Sequence, residues 1–335
     1  MPDLNFNADS DIPDLSGKTV FITGGKSLNS PRAQQIMIAA VDSGYLYLTS
    51  TPSGTNGLGA QSAIHLSKHN ASHIYISGRN AQSAEKVITQ IHNSGSKTQI
   101  TFVQCDLASL DSVKEAAERF TSDTTRLDIL MCNAGIMAQG PGLTKDGYEV
   151  QFGTNHLGHA LLIRKLLPLL ENTSRGGGDA RIVILTSQGF LLHPGRGIVF
   201  DDLKTTQDCL FPGPWRRYGQ SKLANLIYAR ELAKRYPGIL TVAVHPGVVA
   251  TDLVGGLGFF DRTLIYTTNF GKLLKPEEGA YNQCWAATVA RERIENGMYY
   301  EPVGKKEEGR LDKTAKDEVL AGRLWDWTAK VLDEF

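Results

Sequence analysis

Thr19-Val-Phe-Ile-Thr-Gly-Gly25 is a five-residue run of β-branched and aromatic side chains that stops at two glycines. Short, apolar throughout and glycine-ended, it reads as a strand buried on both faces that turns at once into another element. The pattern returns at His73-Ile-Tyr-Ile-Ser77, Gln99-Ile-Thr-Phe-Val-Gln104, Leu127-Asp-Ile-Leu-Met-Cys132, Arg181-Ile-Val-Ile-Leu-Thr186 and Leu240-Thr-Val-Ala-Val-His245, and Gly297-Met-Tyr-Tyr-Glu301 closes the series. Between these runs lie helical stretches. Ala84, Val87, Ile88 and Ile91 are spaced i, i+3, i+4, i+7, as are Val113, Ala116, Ala117 and Phe120. Apolar strands alternating with amphipathic helices need a parallel sheet covered on both sides. The expectation is an α/β, doubly wound parallel sheet of the Rossmann type. It forms one domain over 1–335 with a C-terminal helical extension, Thr314–Phe335, where Leu320, Leu324, Trp327 and Val331 turn one side toward the body. In such a sheet the ligand lies beyond the carboxyl ends of the strands, so the residues that end each strand carry the function.

Composition narrows the class. The chain has 335 residues, 41% hydrophobic and 21% charged, enough for a sizeable core. Thirty-five basic residues balance thirty-five acidic ones, which leaves no electrostatic footprint for nucleic acid or an anionic membrane. The stretch MPDLNFNADSDIPDL is polar and acidic, unlike a secretory or transit peptide, and no apolar run approaches the roughly 18–20 residues of a membrane span. Cys105, Cys132, Cys209 and Cys284 lie far apart and read as small buried hydrophobes, with no metal site and no disulfide framework. A cytoplasmic location follows as the expectation.

A dinucleotide-binding strand should pass through glycines directly into a helix whose N-terminal N–H groups receive the pyrophosphate. Here the helix begins at Gly57-Leu-Gly59, and 29 residues, 26–54, intervene, far beyond the roughly 2–6 residues of a βα turn. Joining Gly25 to Thr55 gives Thr-Gly-Gly-Thr-Asn-Gly-Leu-Gly, which resembles the T-G-x-x-x-G-x-G loop of short-chain dehydrogenases/reductases without a gap. The insert reads like a translated, unspliced intron. Gly25-Lys26-Ser27 is encodable as GGT-AAG-TCN, containing the donor GTAAGT. Leu48-Thr49 permits a branch-point sequence, and Ser53-Gly54 permits a terminal AG in the same codon phase. A genuine inserted loop is the alternative. Tyr45-Leu-Tyr-Leu-Thr49 in place of the first strand would set Pro52 and Ser53 where the loop needs Thr and Gly.

Arg79 ends the second strand, where a cation pairs with a 2′-phosphate and an acidic residue would serve the ribose hydroxyls, so NADP(H) is expected rather than NAD(H). Tyr218-Gly-Gln-Ser-Lys222 is Y-x-x-x-K, opening a helix expected to run to about Tyr236. Spacing i, i+4 puts both side chains on one face, and a nearby ammonium favours the phenolate of Tyr218. Ser187, at the end of the fifth strand, offers a hydroxyl to a substrate carbonyl. Asn155, inside a helix, needs a partner for its amide and suits a water relay.

The phrases TNHLGHALL, YGQSKLANLIYAREL and VAVHPGVVATDL extend the resemblance over nearly everything except 26–54, toward the retinol-dehydrogenase-like and WW-domain-oxidoreductase-like branch, without a WW domain. The resemblance implies that Tyr218 is the acid/base, that Lys222 holds the nicotinamide ribose and lowers the tyrosine pKa, that Ser187 orients the substrate oxygen and that Asn155 anchors the relay water. It further implies cofactor contacts from Gly24, Gly25, Thr55, Asn56, Gly57, Leu58, Gly59, Asp106, Leu107, Asn133, Ala134, Gly135, Pro246, Gly247, Val249 and Thr251. His156, His159 and His245 have no catalytic place in this scheme. The stretch 191–217 and a lid at 251–275 are expected to form the substrate pocket. The reaction expected is carbonyl–alcohol interconversion on a small apolar metabolite, such as a fungal secondary metabolite, in a possible homodimer joined through the Tyr218 helix. A chain impaired by its split cofactor loop is the alternative. A sugar-nucleotide epimerase would show G-x-x-G-x-x-G and a larger C-terminal domain, neither of which is present.

Overall fold

The computed structural model describes residues 6–24, 57–208, 213–249 and 274–335. The expected insert, Gly25, Thr55, Asn56, Thr251, Cys209 and nearly all of the expected lid lie outside the described residues. Strand β1 (Thr19–Thr23) is fully buried and pairs in parallel with β2 (His73–Gly78) on one side and β4 (Ile129–Cys132) on the other. Thr19–Thr23, not 45–49, is therefore the central strand. With β3 (Gln99–Gln104), β5 (Arg181–Leu185), β6 (Leu240–Val244), β7 (Tyr299–Glu301) and β8 (Lys305–Lys306) the sheet order is β3-β2-β1-β4-β5-β6-β7-β8. Seven strands are parallel as expected. The eighth, a two-residue edge strand of lysines, runs antiparallel to β7 and carries no apolar pattern by which the sequence announces it.

Side chains alternate along each strand, and the alternation builds two cores. Phe21, Leu130, Ile182 and Ala243 face one side. Val20, Ile22, Met131, Val183 and Val242 face the other. The second side is covered by α1 (Ala8–Asp11), α2 (Leu58–Ser67), α3 (Ala81–Asn93) and, after the short α8 (Pro276–Gly279), by α9 (Tyr281–Thr288). The first side is covered by α4 (Leu110–Asp123), α6 (Gly158–Arg175) and α7 (Gly213–Arg235). A short α5 (Val150–Phe152) runs into α6 through a π turn, Gly153–Leu157, in which the Gly158 N–H reaches back to the Gly153 carbonyl.

Two elements differ from expectation in their bounds. The Tyr218 helix starts at Gly213, because Pro214 supplies a preset φ and needs no N–H partner in a first turn, so Tyr218 sits in the second turn rather than at the opening. The C-terminal helix α10 (Glu318–Leu332) starts at the Asp317 cap, whose carboxylate accepts the Val319 and Leu320 N–H groups. It lies on the body as expected: Leu324 is buried, Trp325 stacks on Tyr228 of α7, and Arg164 of α6 donates to the Ala329 carbonyl and to Asp333. The Tyr218 helix expected to join two copies thus has α10 packed against it within one chain. Among the described residues no helix is long and apolar enough to cross a membrane, and no group of His, Cys, Asp and Glu could hold a metal ion. Cys105, Cys132 and Cys284 are buried free thiols, all pushed up by burial, Cys105 and Cys284 to about 12.

Candidate active site

The sheet order reverses direction between β1 and β4, and the site gathers there. At the end of β1 the Gly24 N–H donates to the Ser77 carbonyl at 2.6 Å, and a Cβ on Gly24 would collide with that carbonyl, so only glycine fits. Gly59, in the first turn of α2, packs onto the same strand end: a Cβ there would stand 3.1 Å from the Thr23 carbonyl and 2.6 Å from Asn133 Nδ2. Strand end and helix start are adjacent in space although 35 residues separate Thr23 from Gly59 in the chain. Thr23 Oγ1 accepts the N–H groups of Asn133 (2.8 Å) and Ala134 (2.9 Å), and Asn133 Nδ2 donates to the Thr23 carbonyl (2.9 Å), which locks β1 to the loop after β4.

These residues fit a dinucleotide. Helix α2 begins at Gly57 with no side-chain cap, leaving first-turn N–H groups for an anion. The buried Asn133 Oδ1 has no hydrogen-bond partner among the described residues. Arg79 is exposed at the end of β2, and its guanidinium pairs with no described residue. Gly135 lies beside Asn155 and Lys222, where a Cβ would stand 3.2 Å from Asn155 Oδ1 and 3.4 Å from Lys222 Nζ. Other expected contacts have different side-chain duties. Asp106 Oδ1 accepts the Ala108 N–H and closes its own turn. Leu107 belongs to the core, and Val249 is buried against Leu58 and Gly279, so these two can present backbone alone to a ligand. Pro246 and Gly247 are half-buried at the end of β6, beside Leu274 and Pro302.

Ser187, Tyr218, Lys222 and Asn155 come together from three elements. The Ser187 hydroxyl hydrogen-bonds Tyr218, whose ring edge lies close enough to Gly189 to hold that residue to glycine. Lys222 Nζ donates to the Leu185 carbonyl at 3.1 Å and lies 5.8 Å from the Tyr218 ring centre. Burial dominates both groups. It pushes the Tyr218 phenol up to about 12, against a lowering by Ser187, and pulls the Lys222 ammonium down to about 8. Burial rather than Lys222 thus sets the direction at Tyr218, because the low dielectric penalises the phenolate. Asn155 is wholly buried with its amide spent on scaffold: Oδ1 accepts the Ile136 N–H (2.8 Å), and Nδ2 donates to the Ile136 carbonyl and Ser221 Oγ (both 2.9 Å). A relay at this residue falls to its backbone carbonyl.

Two residues that spacing does not flag complete the surroundings. Arg217, 1% exposed, faces the buried Glu149 at 3.3 Å and donates to the carbonyls of Gln207 and Gln139. Glu149 in turn accepts the Phe152 N–H and caps the helix that leads to Asn155. Met137, Ala138 and Trp215 pack around Tyr218 as an apolar wall, Trp215 edge-on at 6.2 Å.

Comparison with known proteins gives the family. The family model for short chain dehydrogenase matches residues 53–196. An uncharacterized oxidoreductase of Schizosaccharomyces pombe is 35% identical over 341 residues, covering 99% of this chain and 89% of its own. The chain belongs to the short-chain dehydrogenase/reductase family. Retinol dehydrogenase 13 of Homo sapiens is 33% identical, with 82% of this chain and 81% of its own covered. A solved structure of a putative uncharacterized protein from Mycobacterium paratuberculosis superposes with a TM-score of 0.68 at 26% identity, over 97% of both chains. A member of this family is an oxidoreductase acting on CH–OH groups with a nicotinamide nucleotide.

Proposed function

We propose that the chain is an NADP(H)-dependent reductase of an apolar ketone or aldehyde, and that Tyr218, Lys222, Ser187 and Asn155 do its chemistry. The observation that carries the reading is the convergence of a buried, neutral Tyr218, hydrogen-bonded to Ser187, with the Lys222 ammonium and the Asn155 turn. The nicotinamide, when bound, supplies the hydride. Ser187 orients the substrate oxygen, and Tyr218 delivers its phenolic proton to that oxygen as charge develops there. Lys222 holds positive charge beside the phenolate that remains, and the Asn155 carbonyl accepts from the water that returns a proton through Lys222 Nζ.

NADP(H) is favoured by the exposed Arg79 guanidinium at the β2 end, and an apolar substrate by Met137, Ala138 and Trp215 beside Tyr218. Phe replacement at Tyr218 is expected to abolish turnover while sparing NADPH binding, measured by fluorescence titration. A turning-over Tyr218→Phe enzyme would sink the assignment.

For 26–54 we propose an insertion into an otherwise complete loop. The apposition of Thr23 and Gly59 supports this. Removing it cuts the connection between Thr23 and Leu58 from 34 residues to five and the closure cost by roughly 1.5–2 kcal/mol. The chain lacking 26–54 is expected to bind NADPH more tightly than the full chain. Equal binding would make the segment a tolerated surface loop, and the transcript would show whether the segment is spliced out.

A further inference from the structure

His159 lies in the first turn of α6, buried, and both of its ring nitrogens are engaged with parts of the site. Nδ1 stands 2.9 Å from the Asn155 carbonyl oxygen, one turn back. Nε2 stands 2.9 Å from Thr23 Oγ1, at the head of the cofactor loop. The protons can be assigned from the partners. A carbonyl only accepts, so Nδ1 must carry the hydrogen. Thr23 Oγ1 already accepts two N–H groups, from Asn133 and Ala134, which uses both lone pairs. Its own hydrogen then has two acceptors in reach, the His159 nitrogen at 2.9 Å and the Met131 carbonyl at 3.4 Å, and the shorter contact is to the ring. Both ends select the same tautomer, Nδ1–H with a free lone pair on Nε2. A doubly protonated ring would set a donor against the Thr23 hydroxyl. Burial and the Lys222 charge oppose that form too, pulling the group to about 4.

We propose that His159 is a positioning residue: as the neutral Nδ1–H tautomer it fixes the Asn155 carbonyl of the relay and ties that carbonyl to Thr23 of the cofactor loop. The proposal rests on the catalytic reading above. At Gly153–Leu157 the helix widens into a π turn, in which the Gly158 N–H reaches the Gly153 carbonyl, and a carbonyl with two lone pairs can take the His159 N–H beside a second donor. One imidazole therefore couples the strand end that receives the cofactor to the turn that handles the proton.

The test uses the full chain. With ¹⁵N-labelled histidine, the His159 resonances are assigned by their loss in His159→Asn, and their shifts are expected to report a protonated Nδ1 and an unprotonated Nε2. Two variants split the ring's duties. His159→Asn keeps an N–H at the Nδ1 position. His159→Gln places its amide near the Nε2 position. With NADPH and phenanthrenequinone as the probe carbonyl, His159→Asn should keep kcat within about twofold and weaken NADPH binding about fivefold. His159→Gln should lower kcat about fivefold and spare NADPH affinity, each change being what one net hydrogen bond supports. An Nε2–H tautomer, or two variants with the same change in kcat and in affinity, overturns the proposal. Tyr218→Phe run in parallel separates the two levels. If it is inactive, a failure here is the failure of His159 alone; if it keeps parental turnover, the catalytic reading falls and this proposal with it.

Discussion

Lys222 and Tyr218 illustrate how burial sets chemistry at a single residue. With the phenol held near 12, Tyr218 is a neutral acid at any working pH, as proton delivery to a nascent alkoxide requires. The group that titrates within reach is Lys222, near 8. Below that pH its nitrogen is charged and supports the phenolate formed in the reaction; above it the support is lost. In the reductive direction, kcat/KM is therefore expected to be flat up to about pH 8 and to fall tenfold per unit beyond it. A profile flat to pH 10 would remove Lys222 from this role. The Tyr–Lys spacing and the strand-end Ser187 were legible because they depend on short-range sequence order. The sign of the Tyr218 shift was not, since it depends on how much water the fold removes. His159 was still less legible. One of its partners is a backbone carbonyl and the other lies 136 residues away.

Between elements, the Glu149–Arg217 pair does the joining. Glu149 caps the short helix that feeds the π turn, and Arg217 precedes Tyr218 on α7 while holding the carbonyls of Gln139 and Gln207 from two loops beside the site. Burial raises the Glu149 carboxyl and the Arg217 charge lowers it, so removing the arginine alone leaves an acid without its counter-charge. Arg217→Met is expected to cost about 3–5 kcal/mol in urea unfolding, and Glu149→Leu added to it should recover part of the loss, the bonds to the Gln207 and Gln139 carbonyls and the Phe152 cap staying lost. A double variant no more stable than the single would refute a pair dominated by mutual charge compensation. No sequence periodicity marks either residue, because a buried ion pair looks like two surface charges until the fold closes over it. The start of α7 carries a similar lesson: Gly213-Pro214 precedes the start expected at Tyr218, yet a proline in the first helical turn serves as an initiator.

At the scale of the whole molecule the alternation of apolar strands and amphipathic helices was legible throughout, since period and length alone decide it. The far edge was not, because β8 has only two residues, whereas the start of α2 was, because Gly57-Leu-Gly59 marks it however far it lies from Thr23 in the chain. Histidines buried deep in the body, His156, His159 and His245 foremost, also make a global prediction. In the unfolded chain each ring takes a proton near pH 6.5, whereas burial holds His159 at about 4 and His156 and His245 at about 3. The unfolded state binds more protons between those limits, so stability is lost as pH falls from about 6.5 toward 4, by up to about 1.4 kcal/mol per pH unit for each ring. Urea midpoints measured from pH 7 to pH 4 should show this slope, and His245→Asn should flatten it. A slope unchanged in that variant would assign the acid sensitivity elsewhere.

The two-residue strand β8 has a further consequence for how the protein behaves at high concentration. An open parallel sheet presents a row of unpaired amide and carbonyl groups to any passing strand. Here the last row is short, and both of its side chains, Lys305 and Lys306, are exposed and charged, each bridged to a nearby glutamate. A neighbouring molecule that tried to extend the sheet would have to strip water from two ammonium groups for very few backbone bonds. Crowding therefore meets a barrier at this border, and the sheet ends where the chain ends it.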